Sequence, residues 1–178
     1  MSILFPDETI LGLLAARPRH GYELLDYFRA DQTLGRLWTL STSQLYAVLK
    51  RLEREGWISG HEVVTDNAPP RTEYTLTVAG EARLQAWLDQ TPLSASIRRI
   101  RVDCLSRLFI AQQLKLPTTP IIDRQYQVCS QKVVALIAQR DQAMPGMDRV
   151  TLDFQTSQLE AALLWLDRCV MAFEEIPE

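Results

Sequence analysis

Between residues 41 and 64 the spacing of apolar side chains changes once, from every third or fourth position to every second, with one glycine near the join. In STSQLYAVLKRLEREGW, read at about 100° per residue, Leu45, Val48, Leu49 and Leu52 cover roughly a quarter of the helical circle. That is the width of a core-facing stripe. Ser41 followed three residues later by Gln44 predicts a capping box, and Gly56 ends the helix. Beyond it, WISGHEVV and RTEYTLT alternate and flank the polar, Pro-rich TDNAPP, which predicts a two-stranded hairpin, a candidate wing, after the helix.

The face opposite the stripe carries Ser43, Ala47, Lys50 and Arg54, with Tyr46 and Arg51 at its edges. No acid falls within it, because Glu53 and Glu55 lie nearer the buried side. The result is a locally cationic ridge. Small polar residues in the first turns and bases further along suit a helix laid in a DNA major groove, where the first turns meet base edges. An ordinary amphipathic helix with a solvated basic face has the same pattern, so its neighbours decide between the two readings.

Upstream, Asp7 and Glu8 favour a helix start, and TILGLLAA continues it to Ala16. ARPRHG breaks that helix. Residues 22–30 restore a helical period through Tyr22, Leu25 and Phe28, with Leu24 alongside and Gly21 permitting a tight turn and close packing. A connector over residues 31–40 offers Leu37 and Trp38 as core plugs. After the hairpin, whose tip holds Asp66, Thr77 caps a further helix that returns Leu84, Trp87 and Leu88 to the core. Three helices, a hairpin and a closing helix predict a winged helix-turn-helix domain over residues 1–90.

The rest, residues 91–178, reads as a helical dimerisation domain joined by the short hinge TPLSAS. A helix over residues 96–116 presents Ile97, Ile100, Cys104, Leu105, Leu108 and Phe109, and LPTTP stops it. Ile122, Tyr126, Cys129, Val133 and Leu136 then recur at heptad spacing, as do Leu152, Thr156, Leu159, Leu163, Leu166, Val170 and Phe173. Pro145 and Gly146 separate the two runs, which predicts an antiparallel helical hairpin. Such a seam closes within one chain or between chains; two small layers joined by a hinge favour a coiled-coil-like dimer. The fold class is mainly α.

At 178 residues and 47% apolar, the chain is globular. It has no uncharged run near the length of a membrane span, and the expected location is cytoplasmic, with no membrane partner. Cys104, Cys129 and Cys169 lack any C-x-x-C spacing and read as small hydrophobes, and His20 and His61 are far apart, so neither metal nor cofactor is expected. A nucleophile elbow, a phosphate loop and paired carboxylates are all missing, which excludes the common enzyme classes. Tyr22, Tyr74, Trp38 and Trp57 read as core. Trp165, beside the seam, is assigned to packing in preference to an effector cavity; a small-molecule effector stays unidentified. The net charge is −3, and residues 1–88 hold nine bases against eleven acids, so any DNA contact rests on local arrangement.

HGYELL, SQLYAVLKRLEREGWI and PPRTEYTLTVAG, in this order, resemble the second-helix, recognition-helix and wing blocks of the PadR family of bacterial transcription regulators. The helical second half is similar, in length and pattern, to the subgroup that includes the virulence-gene activator type, which implies a dimer interface there. Resemblance and helical geometry together put Ser43, Gln44 and Ala47 against base edges and Tyr46, Lys50, Arg51 and Arg54 against phosphates. Arg71, the wing's only base, would enter or flank the minor groove. The implied protein is a homodimer that binds an inverted repeat in double-stranded DNA, as a repressor in preference to an activator. The competing reading is a winged-helix protein-interaction module that does not bind DNA.

Overall fold

The computed structural model describes residues 5–29, 31–65 and 68–174. Ala30, the expected end of the second helix, and Asp66, at the expected wing tip, lie outside the described residues.

Helix α1 (Asp7–Ala16) buries Ile10, Leu11, Leu13 and Leu14 and leads through an extended Arg17 to the two-residue strand β1 (Arg19–His20). Helix α2 (Gly21–Tyr27) follows, then a 3-10 turn (Leu34–Arg36), helix α3 (Thr42–Arg54), strands β2 (Ile58–Thr65) and β3 (Ala68–Leu76), and helix α4 (Val78–Leu88). The sheet is antiparallel with order β1-β3-β2; Arg19 pairs with Tyr74, and Ile58 to Val63 pair with Leu76 to Arg71. β1 has no counterpart in the sequence reading, because two residues are too few to show a period. Its Arg19 is buried, donates from Nε to the Leu13 carbonyl at 3.1 Å and lies over the Tyr27 ring.

The stripe of α3 behaves as its spacing requires: Leu45, Leu49 and Leu52 are fully buried and Val48 nearly so. Gly56 takes φ +76°, a left-handed conformation that ends the helix without Cβ strain. Thr77 accepts from the Gly80 N–H at 3.1 Å and donates to the Gly56 carbonyl at 2.7 Å, tying the start of α4 to the end of α3. Two sequence assignments change. The connector's buried plug is Leu34, with Leu37 and Trp38 only partly covered. On α2 the buried residues are Gly21 and Leu24, with Phe28 buried just past its end; Leu25 is half-buried, and Tyr22 is exposed instead of core.

The chain divides into two compact units. The first holds the residues up to Gln90 together with Ser106–Leu116; the second holds Thr91–Leu105 and the chain from Pro117 onward. Sequence reading draws a single boundary after Gln90. The difference comes from one continuous helical stretch, α5 (Ile97–Arg99), a π-turn (Ile100–Cys104) and α6 (Leu105–Gln113). Most of α6 belongs to the winged unit: Ile110 joins its core, Ser106 Oγ accepts from Trp38 Nε1 at 3.0 Å, and buried Arg107 donates to the Trp87 carbonyl and to Gln90 Oε1.

In the second unit α7 (Thr119–Gln142) and α8 (Met147–Glu174) form the expected antiparallel hairpin. Its seam corrects the assignment of those residues to a contact between copies. Ile122, Cys129, Val133, Leu136, Thr156, Leu159 and Leu166 are buried within a single chain, and Leu152, Leu163, Val170 and Phe173 are half-buried, whereas Tyr126 is exposed. Two facing heptad strips satisfy each other at once, and the shortest route between them is the turn at Gly146. The same helix leaves a second row in solvent: Met147, Val150, Phe154, Leu164 and Met171 are each 58–75% exposed. No helix among the described residues is long and apolar enough to cross a membrane.

Candidate nucleic-acid interface

The exposed arc of α3 starts at its cap. Gln44 Oε1 accepts from the Ser41 N–H at 2.8 Å, and Ser41 Oγ accepts from the Gln44 N–H at 3.3 Å, which completes the capping box. Ser43 Oγ lies 3.1 Å from Ser41 Oγ. The cap thus occupies the carbonyl end of the Gln44 side chain and leaves its amide nitrogen to donate outward. Ser43, Gln44, Tyr46, Ala47, Lys50 and Arg54 are all exposed. Lys50 and Arg54 form no ion pair among the described residues. Glu53 is turned to the hairpin, where its Oε1 accepts from the Gly60 N–H at 3.0 Å, so an acid of α3 anchors the wing instead of neutralising the ridge.

Arg51 departs from the expected set. Its Nη1 and Nη2 donate to Asp7 Oδ2 and Oδ1 at 2.8 and 2.6 Å, a two-point pair with the first turn of α1. Asp7 is 3% exposed, and a carboxylate so far from water needs a counter-ion. The expected phosphate role of Arg51 therefore meets a guanidinium already held by protein.

Arg71 sits on β3 opposite Val63, with its guanidinium over the Tyr22 ring at 5.3 Å and Nη1 donating to Tyr22 Oη at 3.3 Å. Tyr22 is stacked on His20, centroids 5.5 Å apart and planes 10° from parallel. His20 Nδ1 lies 3.1 Å from the Thr72 carbonyl oxygen. Glu23 accepts from the His20 N–H at 2.8 Å, and this bond, more than the nearby Arg17 guanidinium, holds its carboxyl below the usual glutamate range against the opposing effect of burial. A Cβ added to Gly21 would stand 2.8 Å from Tyr46 Cε1, so α2 enters directly against the aromatic at the edge of the α3 arc. The structure brings His20, Tyr22, Tyr46 and Arg71 to one exposed corner. From sequence only Tyr46 and Arg71 are assigned to this face; the signal for the others is the HGY triplet, whose glycine lets α2 start close against Tyr46.

This arrangement supplies cations, hydroxyls and an amide on a convex helix and wing, the inventory for phosphate and base-edge contact. Among the described residues no cluster of three or more His, Cys, Asp or Glu is placed to hold a metal. All three cysteines are buried, and burial pushes the Cys129 and Cys169 thiols up.

The family model of the PadR-like transcriptional regulators matches residues 10–86. The negative transcriptional regulator PadR of Bacillus subtilis is 32% identical over 56% of this chain and 57% of its own length. A probable transcriptional regulator of Mycobacterium tuberculosis is likewise 32% identical, over 48% of this chain and 44% of its own length. The chain thus spans about half the length of these curated relatives. Among solved structures, Bacillus subtilis PadR in complex with operator DNA aligns over 97% of this chain and 99% of that one, at 22% identity and a TM-score of 0.48.

Proposed function

We propose that this chain, whose residues 10–86 match the family model of the PadR-like transcriptional regulators, is a homodimeric repressor of the bacterial cytoplasm that binds an inverted-repeat operator. The observation that carries the reading is the exposed, acid-free arc of α3, with Lys50 and Arg54 unpaired among the described residues and the His20–Tyr22–Arg71 stack beside it. Lys50, Arg54 and Tyr46 contact phosphate and Arg71 enters or flanks the minor groove from the wing; Ser43, Ala47 and the amide of Gln44 meet base edges. Repression follows from likeness to the Bacillus subtilis negative regulator.

The second copy docks on the outer face of α8. Met147, Val150, Phe154, Ser157, Ala161, Leu164, Arg168 and Met171 are spaced alternately three and four apart, so the row is symmetric about residue 159. In an antiparallel pair Met147 faces Met171, Phe154 faces Leu164, and small Ser157 faces small Ala161. A two-fold interface requires this self-matching pattern. The dimer also compensates for the weak charge of each wing unit, because two modest cationic faces act at high effective concentration.

Selection of bound duplexes from a random pool tests the proposal. Enrichment of an inverted repeat with half-sites about one helical turn apart, bound with steep salt dependence, is the expected result. Failure to enrich any sequence, with salt-insensitive binding, would favour a protein partner for α3.

A further inference from the structure

We propose that Asp7 and Arg51 form a positioning clamp that fixes the rotation of the recognition helix, and that Arg51 contributes to sequence discrimination without touching DNA. The inference rests on the DNA-binding reading above and adds to it a device outside the contact surface.

The geometry has three parts. The pair is two-point, with Nη1 on Oδ2 and Nη2 on Oδ1, a planar arrangement that resists rotation where a single contact would not. It is asymmetric in exposure: the Asp7 side chain is 4% exposed and that of Arg51 28%, so the anchor is the acid and the helix is what it holds. The anchor is itself braced. Arg83 of α4 reaches Asp7 Oδ2 at 3.9 Å and Glu8 Oε1 at 2.7 Å, and its guanidinium lies 3.6 Å from the centroid of Trp57, just past the end of α3. Phe5 covers the other side of the pair, with Arg51 5.0 Å from its ring centroid. One turn of α1 thereby grips α3 and α4 together.

A round apolar stripe tolerates small rotations of a helix; a planar ion pair at its edge does not. Side-chain tips on a helix stand about 5–6 Å from its axis, so a rotation of roughly 20° moves them by about 2 Å. That displacement breaks a hydrogen bond to a base edge and leaves long, flexible Lys50 and Arg54 still able to reach phosphate. The clamp therefore acts on discrimination and spares general affinity.

The test uses the full chain and compares Arg51→Gln and Asp7→Asn with wild type against the selected operator and an unrelated duplex, from 50 to 200 mM salt. In Arg51→Gln, the ratio of operator to unrelated affinity falls at least about fivefold, the equivalent of one base contact, while the slope of log affinity against log salt stays at the wild-type value. Asp7→Asn loses discrimination in the same way. A flatter slope in Arg51→Gln, by about 0.9 for each protomer, would make Arg51 a phosphate contact and overturn the clamp. Full wild-type discrimination in that variant would overturn it equally. Where Asp7→Asn fails to fold, Arg51→Gln decides alone, because Arg83 still faces the remaining carboxylate. A wild-type chain without salt-dependent binding would defeat the DNA reading and the clamp together, an outcome distinct from a binding wild type with a flattened variant.

Discussion

Replacing Lys50 and Arg54 together by alanine removes two exposed cations that have no ion-pair partner among the described residues and lie outside the core stripe of α3. Alanine is the best helix former, so the fold should be preserved and stability should move by no more than about 0.5 kcal/mol. Removing one cation from a phosphate lowers the magnitude of the salt slope by about 0.9. Two per protomer and two protomers per operator change the slope by about 3.6, so between 50 and 200 mM salt the wild type loses about 150-fold more affinity than the variant. A single half-site would give a slope change of about 1.8 and a difference of about twelvefold. Fluorescence anisotropy with a labelled operator duplex, at four or five salt concentrations, separates these values. An unchanged slope refutes α3 as the phosphate-facing element; the smaller change refutes two protomers acting on one site.

Leu164→Asp, on the outer row of α8, should yield folded monomers by sedimentation, whereas Leu166→Asp, at a fully buried position, should unfold the hairpin; a dimeric Leu164→Asp protein would move the interface elsewhere. Because the Glu23 carboxyl is held below its ordinary range, its contribution to stability is complete above that range and is lost as pH falls through it to the depressed value. Melting curves of wild type and Glu23→Gln should therefore differ near neutrality and converge in acid. Thiol reagent at neutral pH should modify Cys129 and Cys169 only on the timescale of unfolding, and fast labelling of the native protein would contradict their burial.

What is legible in the sequence is local. The α3 cap, stripe and stop lie within seventeen consecutive residues, and the hairpin reports itself by alternation, so each follows from spacing alone. The pairs that cross the fold are different. Nothing near Arg51 announces Asp7, forty-four positions away, because an exposed arginine and a tethered one have the same neighbours in sequence. Tyr22 falls on the other side of α2 from its expected place, since Leu24 and Leu25 are both apolar and either can face inward. The hairpin seam shows its period but not its partner: a heptad strip looks the same whether its complement is on the same chain or on another. The second strip on α8 is hidden by Ser157, Ala161 and Arg168, which interrupt its apolar character without breaking its spacing.

The assignment of Ser106–Leu116 to the winged unit bears on how such a chain can be cut and recombined. A head and a tail connected by one strand of linker can be exchanged between genes by a single crossover. Here the backbone passes from one unit to the other after Gln90, again after Leu105 and again after Leu116. A fragment ending at Gln90 loses Ile110 from its own interior and leaves Trp38 Nε1 and the Trp87 carbonyl without Ser106 and Arg107. The smallest transplantable head must therefore extend through Leu116 and carry residues 91–105 with it. Any new tail grafted onto it inherits that segment, so heads and tails of this design are expected to diversify as matched pairs.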